Sequence, residues 1–381
     1  MPNAARKWLA LIGSLGVWIS TSSMHISNAA GARPAWQMEW EKAIKAAEEE
    51  GALVIYMTQA FEPVFREVFQ KKFPKIKVTL VTGRGPDLSQ RVMSERRAER
   101  FAVDLYVSGN ISPLTVFHKA KILEPVKPLL LLPEVLDTSV WYEGKHHYDD
   151  PENRFIFVFE GTPRSGEITY NTKLVNPTEI KSYWDLLSPK WKGKFVSVDP
   201  LVSGPISAAH IFFYKQPDLG PEFLRRFHAD TEIAIVRSNE QMLDWLSAGK
   251  YAFGIGARDV DTAMLQGLPL NQFLPASLKE GSSVTAYNGT LSHFNRAPHP
   301  NAAKVAVNWL LSREGQTTLQ RATNTPYNSE ESLRTDIPKD MVRSDVRRVD
   351  GVKYMLVDKP EYIDMAPIYD IVEKAMAQRR K

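Results

Sequence analysis

The pattern of apolar and polar positions predicts helices and strands that alternate along most of the chain. Trp40 and Ile44 recur at helical spacing, and Gly51 ends that pattern. The continuous apolar run at 52–58 is typical of a buried strand. Helix and strand patterns then alternate with short connections as far as residue 110. This order predicts a mainly parallel sheet with helices on its faces.

A second α/β unit follows an interruption. The stretch 128–154 is first rich in proline and leucine and then polar, and we interpret it as a linking region. The "HHYDD" motif inside it, at 146–150, fits a solvated loop better than a metal site. The strands predicted after it lie at 155–161, 167–172, 194–200, 232–237 and 251–256, with helices between them. A strongly amphipathic helix is predicted at 301–320.

The short stretch "SPKWKGKFVSVDP", at 188–200, connects a helix to one of these strands. We expect Trp191 to pack under the turn and Gly193 to permit it, while the lysines around them face solvent. A basic patch for nucleic acid is the less favoured interpretation. The whole chain supports this choice, because 48 basic and 44 acidic residues give a formal net charge of only +4.

Length and cysteine content narrow the class of protein further. The 381 residues are enough for two domains, and cysteine is absent. Disulfides, cysteine nucleophiles and cysteine metal ligands are therefore excluded. Metalloprotease, phosphate-loop, nucleophile-elbow and calcium-loop motifs are not found in the sequence. We expect no cofactor and no enzymatic activity.

The N-terminus resembles a secretory signal peptide. Arg6 and Lys7 precede an uncharged apolar run at 8–20, and small residues follow at 27–32. We expect residues 1–32 to be removed, with cleavage after Ala29 or Ala32, and the mature protein to be periplasmic. An uncleaved membrane anchor is the alternative, and no later stretch is long and apolar enough to span a bilayer.

Polar and glycine residues gather where the predicted strands end. In open parallel sheets, ligands bind beyond the carboxyl ends of the strands, where helix N-termini and arginine side chains favour anions. The candidate ligand-binding residues are Thr58, Gln59, Gly83, Arg84, Ser108, Gly109, Asn110, Asp199, Ser203, Gly204, Ser238, Asn239 and Arg258, with Tyr287 added near the second crossover. Taken singly, most of them suit helix caps and turns equally well. Their coincidence at several strand ends favours a binding site.

Several segments resemble the periplasmic solute-binding proteins of ABC importers, in the branch that contains ferric-ion, thiamine and phosphonate-type binders. The most specific are "YWDLLSPKWKGKFVSVDP", at 183–200, and "HPNAAKVAVNWLLSREGQ", at 299–316. The resemblance runs from about residue 37 to about residue 322. It implies a type II periplasmic-binding-protein fold, with two mainly parallel sheets, flanking helices and crossover hinge strands between two lobes.

The resemblance also implies lobe boundaries and partners. Lobe I is expected to comprise 33–168 and 286–381, and lobe II 169–285. The tail beyond residue 325 carries no recognisable motif, and its last segment is expected to form a helix on lobe I. The protein is expected to be a monomer that captures a small solute in the cleft, closes on it and delivers it to a membrane permease.

One departure from the family decides the expected ligand. Ferric-ion binders carry a tyrosine pair after the strand that matches 251–256, whereas this chain has Gly256, Ala257, Arg258 and Asp259. This departure makes a bare ferric ion less favourable as the ligand. We therefore expect an anionic organic solute held by Arg84 and Arg258.

Three alternatives remain open. A ferric-ion or metal-chelate binder would use tyrosines such as Tyr56, Tyr170 or Tyr287, although core roles suit these residues better. A secreted hydrolase would use Ser203 with His210. The effector lobe of a sensor or regulator has a similar fold, but the export signal argues against it.

Overall fold

The computed structural model describes residues 33–164, 168–202, 205–362 and 364–378. The predicted signal peptide with its cleavage site lies outside these residues, and so do Ser203 and Gly204. Among the described helices, none has the length and apolar character needed to cross a membrane.

The described residues form strands and helices that alternate as the sequence predicts. The strands are β1 (Ala52–Met57), β2 (Lys77–Thr82), β3 (Leu105–Ser108), β4 (Leu123–Glu124), β5 (His147–Tyr148), β6 (Phe157–Val158), β7 (Thr162–Arg164), β8 (Ile168–Asn171), β9 (Phe195–Ser197), β10 (Ala234–Ile235), β11 (Phe253–Ile255), β12 (Leu270–Gln272), β13 (Ser282–Thr285), β14 (Thr290–Phe294) and β15 (Tyr354–Leu356). The α-helices are α1 (Ala35–Glu50), α2 (Gln70–Lys72), α3 (Gly85–Arg97), α4 (Pro133–Leu136), α5 (Pro205–Lys215), α6 (Gly220–Asp230), α7 (Asn239–Ser247), α8 (Val260–Leu265), α9 (Pro300–Leu311), α10 (Arg313–Thr323) and α11 (Ala366–Gln378). Wider π-helical turns at Val64–Phe69 and Pro113–His118 complete the first unit.

The first sheet has the strand order β2-β1-β3-β14-β6-β5, with β4 paired to β14. Strands β1, β2 and β3 are parallel, and β14 joins β3 antiparallel. The core beside this sheet includes Phe65, Phe69 and Trp309, whose rings meet at centroid distances of 5.3–5.9 Å. Aromatic burial of this kind stabilises the unit through large apolar areas removed from water.

The second sheet has the strand order β10-β9-β11-β8-β12. Strands β10, β9 and β11 are parallel, and β8 and β12 are antiparallel to their neighbours. Trp191 packs edge-on against Phe253 at 4.9 Å, and Gly193 adopts a φ of +69°. The stretch at 188–200 is thus the connector that its sequence predicts.

A small third sheet carries the crossings between the two larger ones. Strand β7 leads from the first sheet into β8, and β13 leads from β12 back to β14, and these two crossing strands pair antiparallel. Strand β15, from the C-terminal tail, pairs parallel with β13 on its other side. The two crossing strands agree with the type II fold. Strand β15 was not expected from the sequence.

Three expectations need correction. The sheets are mixed rather than mainly parallel, because the strands next to the crossovers run antiparallel to the rest. The "HHYDD" motif is not a solvated loop, since His147, Asp149 and Asp150 are buried at the end of the first sheet. The last helix, α11, packs on α6 of the second unit and not on lobe I, because Ile368 and Val372 join the second core.

Candidate functional site

The first sheet presents one edge at which several predicted site residues meet. Met57 pairs with Thr82 and with Val107, so strands β1, β2 and β3 end at the same level. Thr58, Gly83 and Ser108–Asn110 therefore lie side by side at this edge, and Gln59 begins a short 3₁₀-helix there. Parallel strands that end together create the crevice in which ligands bind in open α/β sheets.

Arg84 is a strongly exposed candidate on this edge. Its side chain is 87% exposed, and its Nε lies 3.1 Å from Asp87 Oδ2 one turn into α3. An exposed ion pair of this kind contributes about 0–1 kcal/mol and exchanges readily for another anion. The guanidinium is thus available to an incoming ligand.

Asn110 and Gly109 shape the edge from inside the protein. Asn110 is buried, and its Nδ2 donates to Asp149 Oδ2 at 3.0 Å and to the carbonyl of Asp358 at 2.9 Å. A Cβ on Gly109 would lie 3.1 Å from the carbonyl oxygen of Tyr287. Glycine therefore allows the segment that carries Tyr287 to lie directly against the end of β3.

The second sheet presents a matching edge. Ser197 pairs with Ile235 and with Ile255, so β9, β10 and β11 also end together. Beyond them, Asp199 Oδ1 accepts a hydrogen bond from the Leu201 backbone N–H at 2.9 Å, and Ser238 Oγ accepts one from Gln241 N–H at 3.3 Å. Asp199 thus stabilises a turn and Ser238 caps α7, as the plainer interpretation of each predicts.

Asn239 fixes the backbone that carries Arg258. Its Oδ1 accepts from the Arg258 N–H at 2.7 Å, and its Nδ2 donates to the Arg258 carbonyl at 3.1 Å. Asp259 follows with a φ of +59°, which turns the chain into α8. The Arg258 side chain is exposed, and across the described ranges it makes no salt bridge.

Gly256 brings a helix terminus to the same edge. It has a φ of +70°, and a Cβ there would lie 2.7 Å from the Ile206 backbone nitrogen in the first turn of α5. The start of α5 thus approaches the end of β11, and the N-terminal end of a helix carries a partial positive charge. Gly256 was not among the candidate ligand-binding residues, although a glycine at the end of a predicted strand was a usable signal.

The C-terminal tail adds charged residues that sequence reasoning missed. Arg343 donates to Asp261 in α8 at 2.7 Å and to Asp345 at 2.9 Å. Glu330 accepts from Thr162 Oγ1 at 2.6 Å and from Arg164 at 3.3 Å, both in crossing strand β7. More than 150 residues separate Glu330 from both partners in sequence, so no local pattern could have found this cluster.

Two buried carboxyl groups lie beside the crossing strands. Burial raises the pKa of Glu160 well above its ordinary value, and the neighbouring Glu330 raises it further. Burial also raises the pKa of Glu330, against the lowering effect of Arg164. Glu160 Oε2 has no hydrogen-bond partner in the described part of the chain. Low-dielectric surroundings therefore favour the protonated form in this pair.

The tyrosines named as alternative ligands fall into two groups. Tyr56 is buried and donates to Glu95 at 2.7 Å, and burial raises the pKa of its phenol to about 12. Tyr170 packs on Phe273 at 5.0 Å in the second core. Tyr287 is 55% exposed beside Gly109. Among these three, only Tyr287 is exposed to solvent.

Of the two residues proposed for a hydrolase, only His210 lies within the described residues. His210 is fully buried in α5, where its Nε2 lies 2.9 Å from His228 Nε2. Burial lowers the pKa of His210 to about 3. His210 is therefore a neutral core residue that has no access to solvent.

A further group of potential metal ligands lies away from both sheet edges. Ligand atoms of His118, Asp150 and Glu152 lie within 4.8 Å of one another. Asp150 is already used within the protein, because its carboxylate accepts from the backbone N–H groups of residues 154, 155 and 156. These bonds, together with the pair between His118 and Glu152 at 2.8 Å, explain why the three side chains lie close together.

Comparison with known proteins places the chain in a family. The family model for bacterial extracellular solute-binding protein matches residues 55–317, which is more than half of the chain. This chain therefore belongs to the bacterial extracellular solute-binding proteins. Its matched residues include both sheet edges and both crossing strands.

The individual proteins that this chain resembles have low sequence identity to it. Iron uptake protein A1 of a Synechocystis strain is 29% identical over 121 residues, which span 32% of this chain and 30% of that protein. Among solved structures, Trichodesmium IdiA (FutA) in complex with iron and citrate has a TM-score of 0.61 at 20% identity, over 85% of this chain and 99% of that one. A Bordetella ferric binding protein gives 0.63 at 17% identity, over 85% and 98%.

A third structural neighbour was solved with a different kind of ligand. AfuA from Actinobacillus pleuropneumoniae, with fructose-6-phosphate bound, has a TM-score of 0.54 at 17% identity, over 87% of this chain and 99% of that one. At these identities the likeness establishes the fold, which is that of type II periplasmic binding proteins. The family and the fold are those of binding proteins.

Proposed function

We propose that this protein captures a small anionic organic solute between its two sheet edges and delivers it to an ABC permease. The observation that carries the proposal is the exposed Arg258 side chain, on a backbone clamped by Asn239. An exposed guanidinium that makes no salt bridge among the described residues suits a carboxylate or phosphate, which it can bind through two parallel hydrogen bonds. Arg84 supplies a second exposed guanidinium on the other edge.

Arg258→Ala should weaken binding of the anion by roughly ten- to a hundredfold, because a charge-assisted hydrogen bond contributes about 1.5–3 kcal/mol. Arg84→Ala should weaken it less, since Asp87 already competes for that side chain. Titration calorimetry with citrate, fructose 6-phosphate and ferric citrate measures both effects. Native mass spectrometry of the purified protein identifies any retained solute to add to this panel.

Matched controls come from the same chain. Arg225 is exposed on α6 and paired with Glu222, and Arg66 is exposed near the first sheet and paired with Glu62. Arg225→Ala and Arg66→Ala should bind like the wild type. Equal binding by wild type and Arg258→Ala, or preference for a cationic solute, would overturn the proposal.

A ferric ion or metal chelate is the second candidate. Tyr287 favours it, because this exposed phenol lies on the first edge and phenolate is a ligand for ferric iron. The relatives whose names refer to iron support this second candidate only through their similarity to this chain. Ferric citrate would then produce a visible absorption band from the phenolate–iron bond, and Tyr287→Phe should abolish that band. The anionic-solute proposal predicts binding of the iron-free anion and no such band.

A further inference from the structure

A cavity of about 840 Å³ lies outside the two sheet edges. Its walls are the segment 138–153, at the β5 end of the first sheet, and the tail segment 354–362. This volume is within the range of small-molecule binding sites. The tail wall lies beyond residue 317, where the family match ends. The cavity therefore depends on the part of this chain that its family model does not describe.

Aromatic rings line the cavity from both walls. Tyr142 and Tyr148 come from the first wall, and Tyr354 and Tyr362 come from the tail. His146 and His147 lie between them, and each ring bonds through Nε2 to a backbone carbonyl at 2.9 Å. Burial lowers the pKa of both histidines, so they add neutral rings and not charge. Such a lining suits a planar ring that can stack.

Three lysines and three carboxylates line the cavity, so its formal charges balance, but they are not all paired with one another. Glu143 is paired with Lys145 at 2.7 Å. The Asp150 carboxylate is occupied by three backbone N–H groups. Glu361 is exposed to solvent. Lys127 and Lys359 also line the cavity, and neither has a salt bridge within the described ranges. An ammonium group in this position attracts an anion.

The cavity is separate from the cleft edges. None of the candidate cleft residues that the structure describes lines it. Asn110, at the end of β3, donates to the side chain of Asp149 and to the backbone carbonyl of Asp358, which are the sequence neighbours of lining residues Asp150 and Lys359. Burial raises the pKa of both carboxyl groups. Through Asn110, the cavity walls are connected to the end of β3 without sharing a lining residue with it.

We propose that this cavity is a second binding site, for a small aromatic anion such as an aryl carboxylate or aryl phosphate. The rings of both walls stack on the aromatic part, and Lys127 and Lys359 bind the anionic group. Strand β15 forms part of the tail wall and pairs with crossing strand β13, so the ligand also contacts the sheet through which the two units are joined.

Titration calorimetry of the whole mature protein with 2-naphthoate and phenyl phosphate tests this site. Lys359→Ala and Lys127→Ala should each weaken binding by about tenfold, as expected for loss of one charge-assisted contact. Tyr362→Leu should weaken it by a similar factor through loss of stacking. Lys119→Ala, an exposed lysine outside the cavity, should bind like the wild type. Thermal melting of each variant checks that the fold is intact.

Two comparisons separate this site from the cleft. Arg258→Ala should leave binding of 2-naphthoate unchanged, whatever it does to the solute of the cleft. Cyclohexanecarboxylate, which has the charge without the aromatic ring, should bind at least tenfold more weakly than 2-naphthoate. The proposal is wrong if neither aryl anion binds, if Arg258→Ala abolishes their binding, or if the Lys127 and Lys359 variants bind as tightly as wild type.

Discussion

Arg84 and Arg258 show how differently two similar side chains can be held. The first has an exposed carboxylate beside it, whereas the second sits on a backbone fixed by two hydrogen bonds from Asn239. A fixed backbone lowers the entropy lost when a side chain binds a ligand. For this reason we expect Arg258 to contribute more to affinity than Arg84.

His293 should make the stability of the protein sensitive to acid. It lies in β14 with both ring nitrogens unpartnered in the described structure, and burial lowers its pKa to about 4. Between pH 6.5 and 4 the unfolded chain binds a proton that the folded protein does not. Stability present above pH 6.5 is therefore lost as the pH falls, by up to about 3 kcal/mol from this residue.

The substitution His293→Leu should reduce this pH dependence and leave the stability at pH 8 nearly unchanged. Urea unfolding at pH 8, 6 and 5 measures the free energy of unfolding in both proteins. A residual slope is expected from His210, whose pKa burial also lowers. If the free energy of unfolding falls equally in wild type and variant between pH 8 and 5, His293 is not the source of the pH dependence.

At the scale of elements, the tail decides how the crossing strands are supported. Strand β7 is flanked by β13 and by the tail cluster around Glu330, and β13 is flanked in turn by β15. Arg334 and Leu333 pack in the first unit, while Val357 and Ile368 pack in the second. The tail therefore forms a third passage of the chain between the two units.

The pairing of β15 with β13 should be sensitive to substitution of Gly281. It has a φ of +83°, and a Cβ there would overlap the Lys353 carbonyl, which accepts the Ser282 N–H at 3.0 Å. Gly281→Ala should destabilise the protein by about 1–3 kcal/mol through strain, and more through displacement of β15. Hydrogen exchange should rise at residues 354–356.

Gly351 provides the control for this prediction. It has a similar φ of +80°, but a Cβ there meets nothing within 4 Å. Gly351→Ala should carry only the cost of the backbone conformation and leave exchange at β15 unchanged. Equal effects of the two substitutions in urea unfolding would show that the contact with Lys353 is unimportant.

At the scale of the whole molecule, two sheets joined by crossing strands imply closure around a ligand. A binding protein of this kind populates open and closed forms, and the ligand shifts the population toward the closed one. Here β15 adds to the crossing pair, so we expect rotation about a three-stranded sheet.

Small-angle scattering should show a smaller radius of gyration when the solute that binds in the cleft is added at saturation. Arg258→Ala, at the same solute concentration, should keep the larger radius because it remains mostly unliganded. A constant radius for the saturated wild type would indicate a rigid binder. Addition of 2-naphthoate alone serves as a comparison for the second site.

Much of this architecture follows from local patterns in the sequence. Glycine and small polar residues after apolar runs marked the ends of β1, β2, β3 and β11, because turns and helix starts require such residues. The register of parallel strands then places these ends together. Asn239 was identified as a candidate, but its role in holding Arg258 was not, since the two residues are 19 positions apart.

The sequence by itself determined the alternation of helices and strands, the family and the residues that follow the ends of the parallel strands. These depend on short-range periodicity and on the chemistry of turns, which neighbouring residues encode. Only the tertiary structure decided where the tail lies, which carboxyl groups are buried together and where the aromatic cavity forms. Those features join residues such as Glu330 and Thr162, 168 positions apart. Long-range packing and burial, not local pattern, determine such contacts.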